Sequence, residues 1–143
     1  GDVMPPQEAL KISDEMGLLN INGGDTIITN RKPFLSNISP MGINKGPYFQ
    51  IYSPIHNDNI YTNLWKGPFY GYINAIQTFN LTEKPKRLKP IGIYYHFFSG
   101  TKLESLKALK DVYNMALSQK ITPLYVSEYI RKVLDFRDMT ISQ

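Results

Sequence analysis

Imidazole is the side chain best suited to exchange a proton near neutral pH, and this sequence carries two of them, His56 and His96. No cysteine is present, which excludes disulfides, thiolate nucleophiles and thiolate metal sites. His96 closes the apolar run Ile91-Gly92-Ile93-Tyr94-Tyr95 and precedes the loop Ser99-Gly100-Thr101. In α/β barrels the ends of strands, where the βα loops begin, are where active sites lie. A histidine placed there can act as a general acid or base. The same position also suits a core histidine bonded to backbone, and the residues alone leave both readings open. His56, within Pro54-Ile55-His56-Asn57-Asp58-Asn59, reads as a loop residue.

Asp25 follows Asn20-Ile21-Asn22-Gly23-Gly24. The glycine pair lets backbone or ligand approach closely, and alternation puts Asn20 and Asn22 on one face of a strand. A carboxylate at that strand end could orient a histidine and favour its charged form. Asp25 could equally cap the turn after the glycines. Ser99 is close enough to His96 in sequence to suggest a serine–histidine–aspartate triad, but no nucleophile-elbow motif accompanies it. Two distant histidines and scattered aspartates make no local metal site, and no phosphate-cradling glycine loop occurs.

These residues need elements to hold them. Pro5 to Met16 reads as a helix stopped by Gly17, and Leu18 to Ile21 as a short buried strand. Asp25 to Lys45 reads as loop, and Gly46-Pro47 as a break before a strand at Tyr48 to Tyr52. A polar loop is expected from there through Asn63. Phe69, Tyr72, Ile73, Ile76 and Phe79 have helical spacing. Ile91 to Phe97 reads as a strand. Thr101-Lys102-Leu103-Glu104 fits a capping box, followed by a long helix with Leu103, Leu106, Leu109, Tyr113, Ala116 and Leu117 as its apolar stripe. Leu124 to Val126 reads as another strand, and Ser127 as the cap of a last helix through Phe136. Strands alternating with amphipathic helices predict an α/β fold with a parallel sheet or barrel, residues 1–143 forming a single domain or part of one.

The chain has 143 residues, 42% of them hydrophobic and 20% charged, a composition that can bury a core and excludes disorder. No apolar run is long enough to span a bilayer. Sixteen basic residues against twelve acidic ones give a net charge of +4, a mild excess. The densest basic stretch, Lys84-Pro85-Lys86-Arg87-Leu88-Lys89-Pro90, is stiffened by two prolines and reads as a solvated loop rather than a nucleic-acid patch. Ten tyrosines, seven phenylalanines and one tryptophan supply faces that could stack on sugar rings as well as fill a core.

Three stretches together resemble one family: Met16-Gly17-Leu18-Leu19-Asn20-Ile21-Asn22-Gly23-Gly24-Asp25-Thr26, Tyr61-Thr62-Asn63-Leu64-Trp65 with Gly67-Pro68-Phe69-Tyr70-Gly71, and Arg87-Leu88-Lys89-Pro90-Ile91-Gly92-Ile93-Tyr94-Tyr95-His96-Phe97-Phe98-Ser99-Gly100. They look like the polysaccharide deacetylase-like domain of PelA-type proteins, which process the Pel exopolysaccharide of bacterial biofilms. The resemblance implies the C-terminal half of a distorted barrel of about seven strand–helix units. It implies metal-dependent N-deacetylation of an amino-sugar exopolysaccharide in the bacterial periplasm. His96 matches the histidine that protonates the departing amine, and Asp25 the aspartate that orients it. Asn22, Tyr94 and Trp65 are expected to border the same cleft and contact substrate. Tyr94 stands where the family has a leucine, so the surface for the acetyl methyl falls to Tyr94 or Trp65. The divalent metal, zinc by resemblance, takes its ligands from residues upstream of Gly1, leaving this chain without them. The expected partners are an amino-sugar polysaccharide and the N-terminal half of the same domain or a second copy of this chain. Neither a nucleic acid nor a membrane span is expected. A non-catalytic carbohydrate-binding module is the alternative reading.

Overall fold

The computed structural model describes residues 4–27, 40–83, 85–87 and 89–142. Most of the expected 25–45 loop, Lys84 and Leu88 of the basic run, and the opening three residues lie outside this range. The protein is mixed α/β. In chain order its elements are α1 (Gln7–Glu15), β1 (Gly42–Lys45), β2 (Tyr48–Ile51), β3 (Ile55–Asn57), α2 (Asp58–Tyr61), a 3-10 helix (Phe69–Asn74), α3 (Ala75–Thr82), β4 (Gly92–Tyr94), a second 3-10 helix (Phe97–Thr101), α4 (Leu103–Leu117) and α5 (Val126–Asp138). Among the described residues no helix is long and apolar enough to cross a membrane. The elements form two compact units. One comprises Gly1–Gly24, Pro40–Ser53 and Thr122–Gln143; the other comprises Asp25–Ser39 and Pro54–Ile121.

In the first unit, α1 forms where expected. Pro6 precedes it, its carbonyl accepting from the Ala9 and Leu10 amides, and Gly17 ends it with a left-handed φ of 65° that favours glycine. β1 and β2 form an antiparallel hairpin about Gly46-Pro47, pairing Gly42 with Ile51 and Lys45 with Tyr48. The core is Ile51, Tyr129, Ile130 and Val133, flanked by Phe49 and Leu134. Two expected strands are absent. Leu18 to Ile21 is irregular, with Leu18 and Leu19 exposed, and the backbone pairing nearby falls just after it, Asn22 N–H donating to Ile51 O and Ser53 N–H to Gly23 O, each at 3.0 Å. Leu124 to Val126 instead leads into α5, whose start is capped by the Glu128 carboxylate accepting from the Tyr125 amide at 2.8 Å rather than by Ser127. A two- or three-residue apolar run carries too little pattern to separate a strand from a helix approach. β1 itself falls inside the stretch expected to be loop.

In the second unit, β3 and β4 pair in parallel, with Ile55 opposite Gly92, His56 opposite Ile93 and Asn57 opposite Tyr94. Parallel neighbours need a long crossover, here the run through α2, the Phe69–Asn74 helix and α3. Gly92 is required by this approach, since a Cβ there would lie 1.9 Å from the Pro54 carbonyl oxygen. The core gathers Tyr61, Tyr72, Ala75, Phe79, Ala108, Leu109 and Val112. The inward face of α4 overlaps the expected stripe only in part: Leu109 and Ala116 are buried together with Ser105, Ala108 and Val112, while Leu103 and Leu117 are exposed. The small side chains let α4 close on the Phe69–Asn74 helix, and Ser105 Oγ donates to Phe69 O at 2.8 Å. Nor does the Thr101 capping box form: Lys102 precedes the helix without a side-chain cap, and the Thr101 hydroxyl donates back to Phe98 O at 2.7 Å.

Candidate active site around His96

The parallel register ends β3 at Asn57 and β4 at Tyr94, side by side. The residue that follows β3 is Asp58, and the second residue after β4 is His96. Asp58 is fully buried, and its side chain receives three donors. Oδ1 lies 2.8 Å from His96 Nδ1, Oδ2 accepts from the His96 backbone N–H at 3.1 Å, and the Ser99 hydroxyl makes a short hydrogen bond to Oδ2. Because a carboxylate only accepts, this arrangement puts the Nδ1 proton on the ring and leaves Nε2 as the nitrogen that exchanges protons. His96 is 36% exposed by side chain, and Nε2 has no hydrogen-bond partner among the described residues.

The carboxylate on His96 Nδ1 is therefore that of Asp58, a residue read as part of a polar loop, in the place where Asp25 was expected. The cause is the shortness of β3. Three residues ending in His56 and Asn57 show no period-two alternation of apolar and polar types, so nothing in them marks a strand end. Asp25 lies half-buried in the same unit, and its charge adds to the burial that holds the Tyr61 phenol above the usual range. Ser99 does come close, but as a donor to Asp58 rather than as a nucleophile on His96, so the serine-triad reading finds no geometric support.

Two of the expected substrate residues stand against the imidazole. The Trp65 ring meets it edge-on at 4.8 Å, and the Tyr94 ring does so at 5.2 Å. Asn22 belongs to the other unit, where its Oδ1 accepts from the Gly23 amide at 3.0 Å. Trp65 is carried on an unusual turn: Asn63, Leu64 and Trp65 have φ of 52°, 54° and 58°. Left-handed backbone costs roughly 1–2 kcal/mol per residue outside glycine, least for asparagine. The turn is held by Leu64 N–H to Asn59 O at 2.7 Å and Gly67 N–H to Thr62 O at 3.0 Å. Strain of this kind concentrates where a side chain must be aimed.

His56 is not a loop residue. It sits within β3, 4% exposed, with Nδ1 3.1 Å from Gly92 O and its ring edge-on to Phe79 at 4.3 Å. Burial pushes its imidazole down to about 4, so it is neutral at physiological pH. Nδ1–H donates to the Gly92 carbonyl, and Nε2 is left buried without a hydrogen-bond partner among the described residues. Tyr72 secures the same strand by donating to His56 O at 2.8 Å. His56 thus stiffens the strand that leads into Asp58, while His96 is part-exposed.

Two observations bear on metal binding. Among the described residues no group of three or more histidine, aspartate or glutamate side chains is placed to hold a metal ion. The His96 ring has one nitrogen committed to Asp58, and His56 is enclosed. The residues described here do not fit a metal centre. No known protein family, curated protein or solved structure matches this chain.

Proposed function

We propose that this chain is the C-terminal half of a polysaccharide-deacetylase-type barrel and supplies the general-acid half of a site that removes acetyl groups from an amino-sugar exopolysaccharide. The observation that carries the reading is the buried Asp58 holding His96 Nδ1 at the mouths of two adjacent parallel strands, with Nε2 open. In amide hydrolysis a new C–O bond forms to water and the C–N bond breaks. The nitrogen leaves as an amine only if it receives a proton. Protonated Nε2 delivers that proton, and the Asp58 charge offsets the positive charge that the ring carries beforehand. Trp65 and Tyr94 border the imidazole, where the acetyl methyl and the sugar ring would lie. On this reading the divalent metal that such deacetylases use takes its ligands, with the water-activating half and the rest of the barrel, from a further segment or a second polypeptide in an extracytoplasmic setting.

A carbohydrate-binding module without turnover is the second reading, favoured by the exposed aromatics next to His96: Phe97 is 91% exposed and Phe98 48%. Acetate release from N-acetylated amino-sugar oligomers by the intact protein separates the two. A deacetylase releases acetate, and His96→Gln stops release while oligomer binding changes less than about twofold. Binding with no release by the unmutated protein would leave the module.

A further inference from the structure

Aromatic rings continue outward from the His96–Trp65 contact. Phe98 stands edge-on to Trp65 at 5.7 Å, and the Lys102 ammonium lies 6.0 Å from the Phe98 ring centroid and 4.4 Å from that of Phe69. The track is anchored to the chemistry. Ser99, between Phe98 and Lys102, is tied to Asp58 by its hydroxyl and to His96 O by its amide at 2.9 Å. The short helix that leads to Lys102 is thus tied to the Asp58–His96 pair. Cations favour aromatic faces, which keeps Lys102 over the rings rather than free in solvent.

Aromatic faces accept the apolar side of a sugar ring whether or not its amino group is acetylated. The two forms differ in charge: the acetylated sugar is neutral, and the deacetylated one carries an ammonium. We propose that the Trp65–Phe98–Lys102 track is a specificity-determining subsite in which Lys102 admits a neutral N-acetylated sugar beside the reacting unit and disfavours a deacetylated one. This rests on the amino-sugar reading above. Two like charges a few ångström apart near water repel enough for about a fivefold preference. The net charge of +4 works in the same direction, so a polymer is released more readily as its acetyl groups are lost. The enzyme would accordingly favour stretches that still carry acetyl groups.

Titration of this chain by calorimetry with an N-acetylated amino-sugar tetramer and with the fully deacetylated tetramer tests the subsite. At low salt the acetylated tetramer should bind about fivefold tighter or more, and the gap should narrow at high salt. Lys102→Gln should erase most of the preference and Lys102→Glu should invert it. Lys102→Arg, which keeps the charge, should retain it. Lys120→Gln, an equal change of net charge at an exposed position, should also retain it. A preference unchanged in both Lys102→Gln and Lys102→Glu, each folded by circular dichroism, overturns the subsite while leaving the amino-sugar reading standing. Failure of both tetramers to bind the unmutated chain would overturn the subsite and the amino-sugar reading together.

Discussion

Asp58 has no route to solvent, and its three donors fix both of its oxygens. A carboxylate so held cannot swing away from Nδ1, which is what a proton donor at Nε2 requires of its support. Ser99, a neutral hydroxyl, is the one of the three supports that can be removed without touching His96 itself. Ser99→Ala should lower turnover of the intact protein by roughly tenfold through loosened positioning, with KM little changed and Ser99→Thr restoring part of the rate. A fall in KM matching that in kcat would show that Ser99 acts elsewhere. Lys89 offers a contrasting case. Its ammonium is buried with no hydrogen-bond partner among the described residues, and burial pushes it down to about 8 from 10.5. The fold therefore holds a charge it disfavours below pH 8, a penalty that fades as pH rises through 8 toward 10.5. With allowance for solvent screening, Lys89→Met should stabilise the protein by about 1 kcal/mol at pH 7 in urea unfolding. No gain would place the ammonium in water. Tyr94 was legible as a neighbour of His96 from alternation along the strand, and Trp65 was expected there only from a resemblance. Asp58 was not legible, because a carboxylate is identified by the strand end it follows, and that strand was invisible.

At the scale of elements, the site depends on two three-residue strands lying in parallel. Gly92→Ala should separate them, since the added methyl would meet the Pro54 carbonyl, and the loss should exceed about 3 kcal/mol in chemical denaturation. The His56 ring, enclosed between the strands and Phe79, makes the pairing sensitive to acid. Its imidazole is held at about 4 against an ordinary 6.5, so the unfolded chain takes up a proton that the folded chain refuses between those values. The stabilisation is complete above pH 6.5 and drains as pH falls toward 4, by about 3 kcal/mol at the limit. Melting temperature should decline across that window, and His56→Asn, which can still donate to Gly92 O, should flatten the decline relative to the unmutated chain. Parallel slopes for both would assign the acid sensitivity to carboxylates alone. Longer elements were readable: α1, the run from Phe69 to Thr82, and α4 all stand where periodicity put them. The inward face of α4 was read in part: Leu109 and Ala116 are buried as the spacing put them, whereas close helix packing adds Ser105 and Ala108, which a count of large apolar residues passes over. The left-handed turn at Asn63–Trp65 leaves no trace in composition, as leucine and tryptophan avoid that backbone elsewhere.

For the whole molecule, the mixed α/β class follows from strands alternating with amphipathic helices, and the parallel β3–β4 pair fits that reading. The functional proposal reduces to which carboxylate supports the proton donor. Acetate release from an N-acetylated amino-sugar oligomer by the intact protein, compared across His96→Gln, Asp58→Asn and Asp25→Asn, tests this most directly. His96→Gln and Asp58→Asn should each cut kcat by about a hundredfold to ten-thousandfold, with oligomer affinity kept within about twofold. Asp25→Asn should cost much less if the proposal holds. Full turnover in Asp58→Asn, with activity lost in Asp25→Asn, would contradict it.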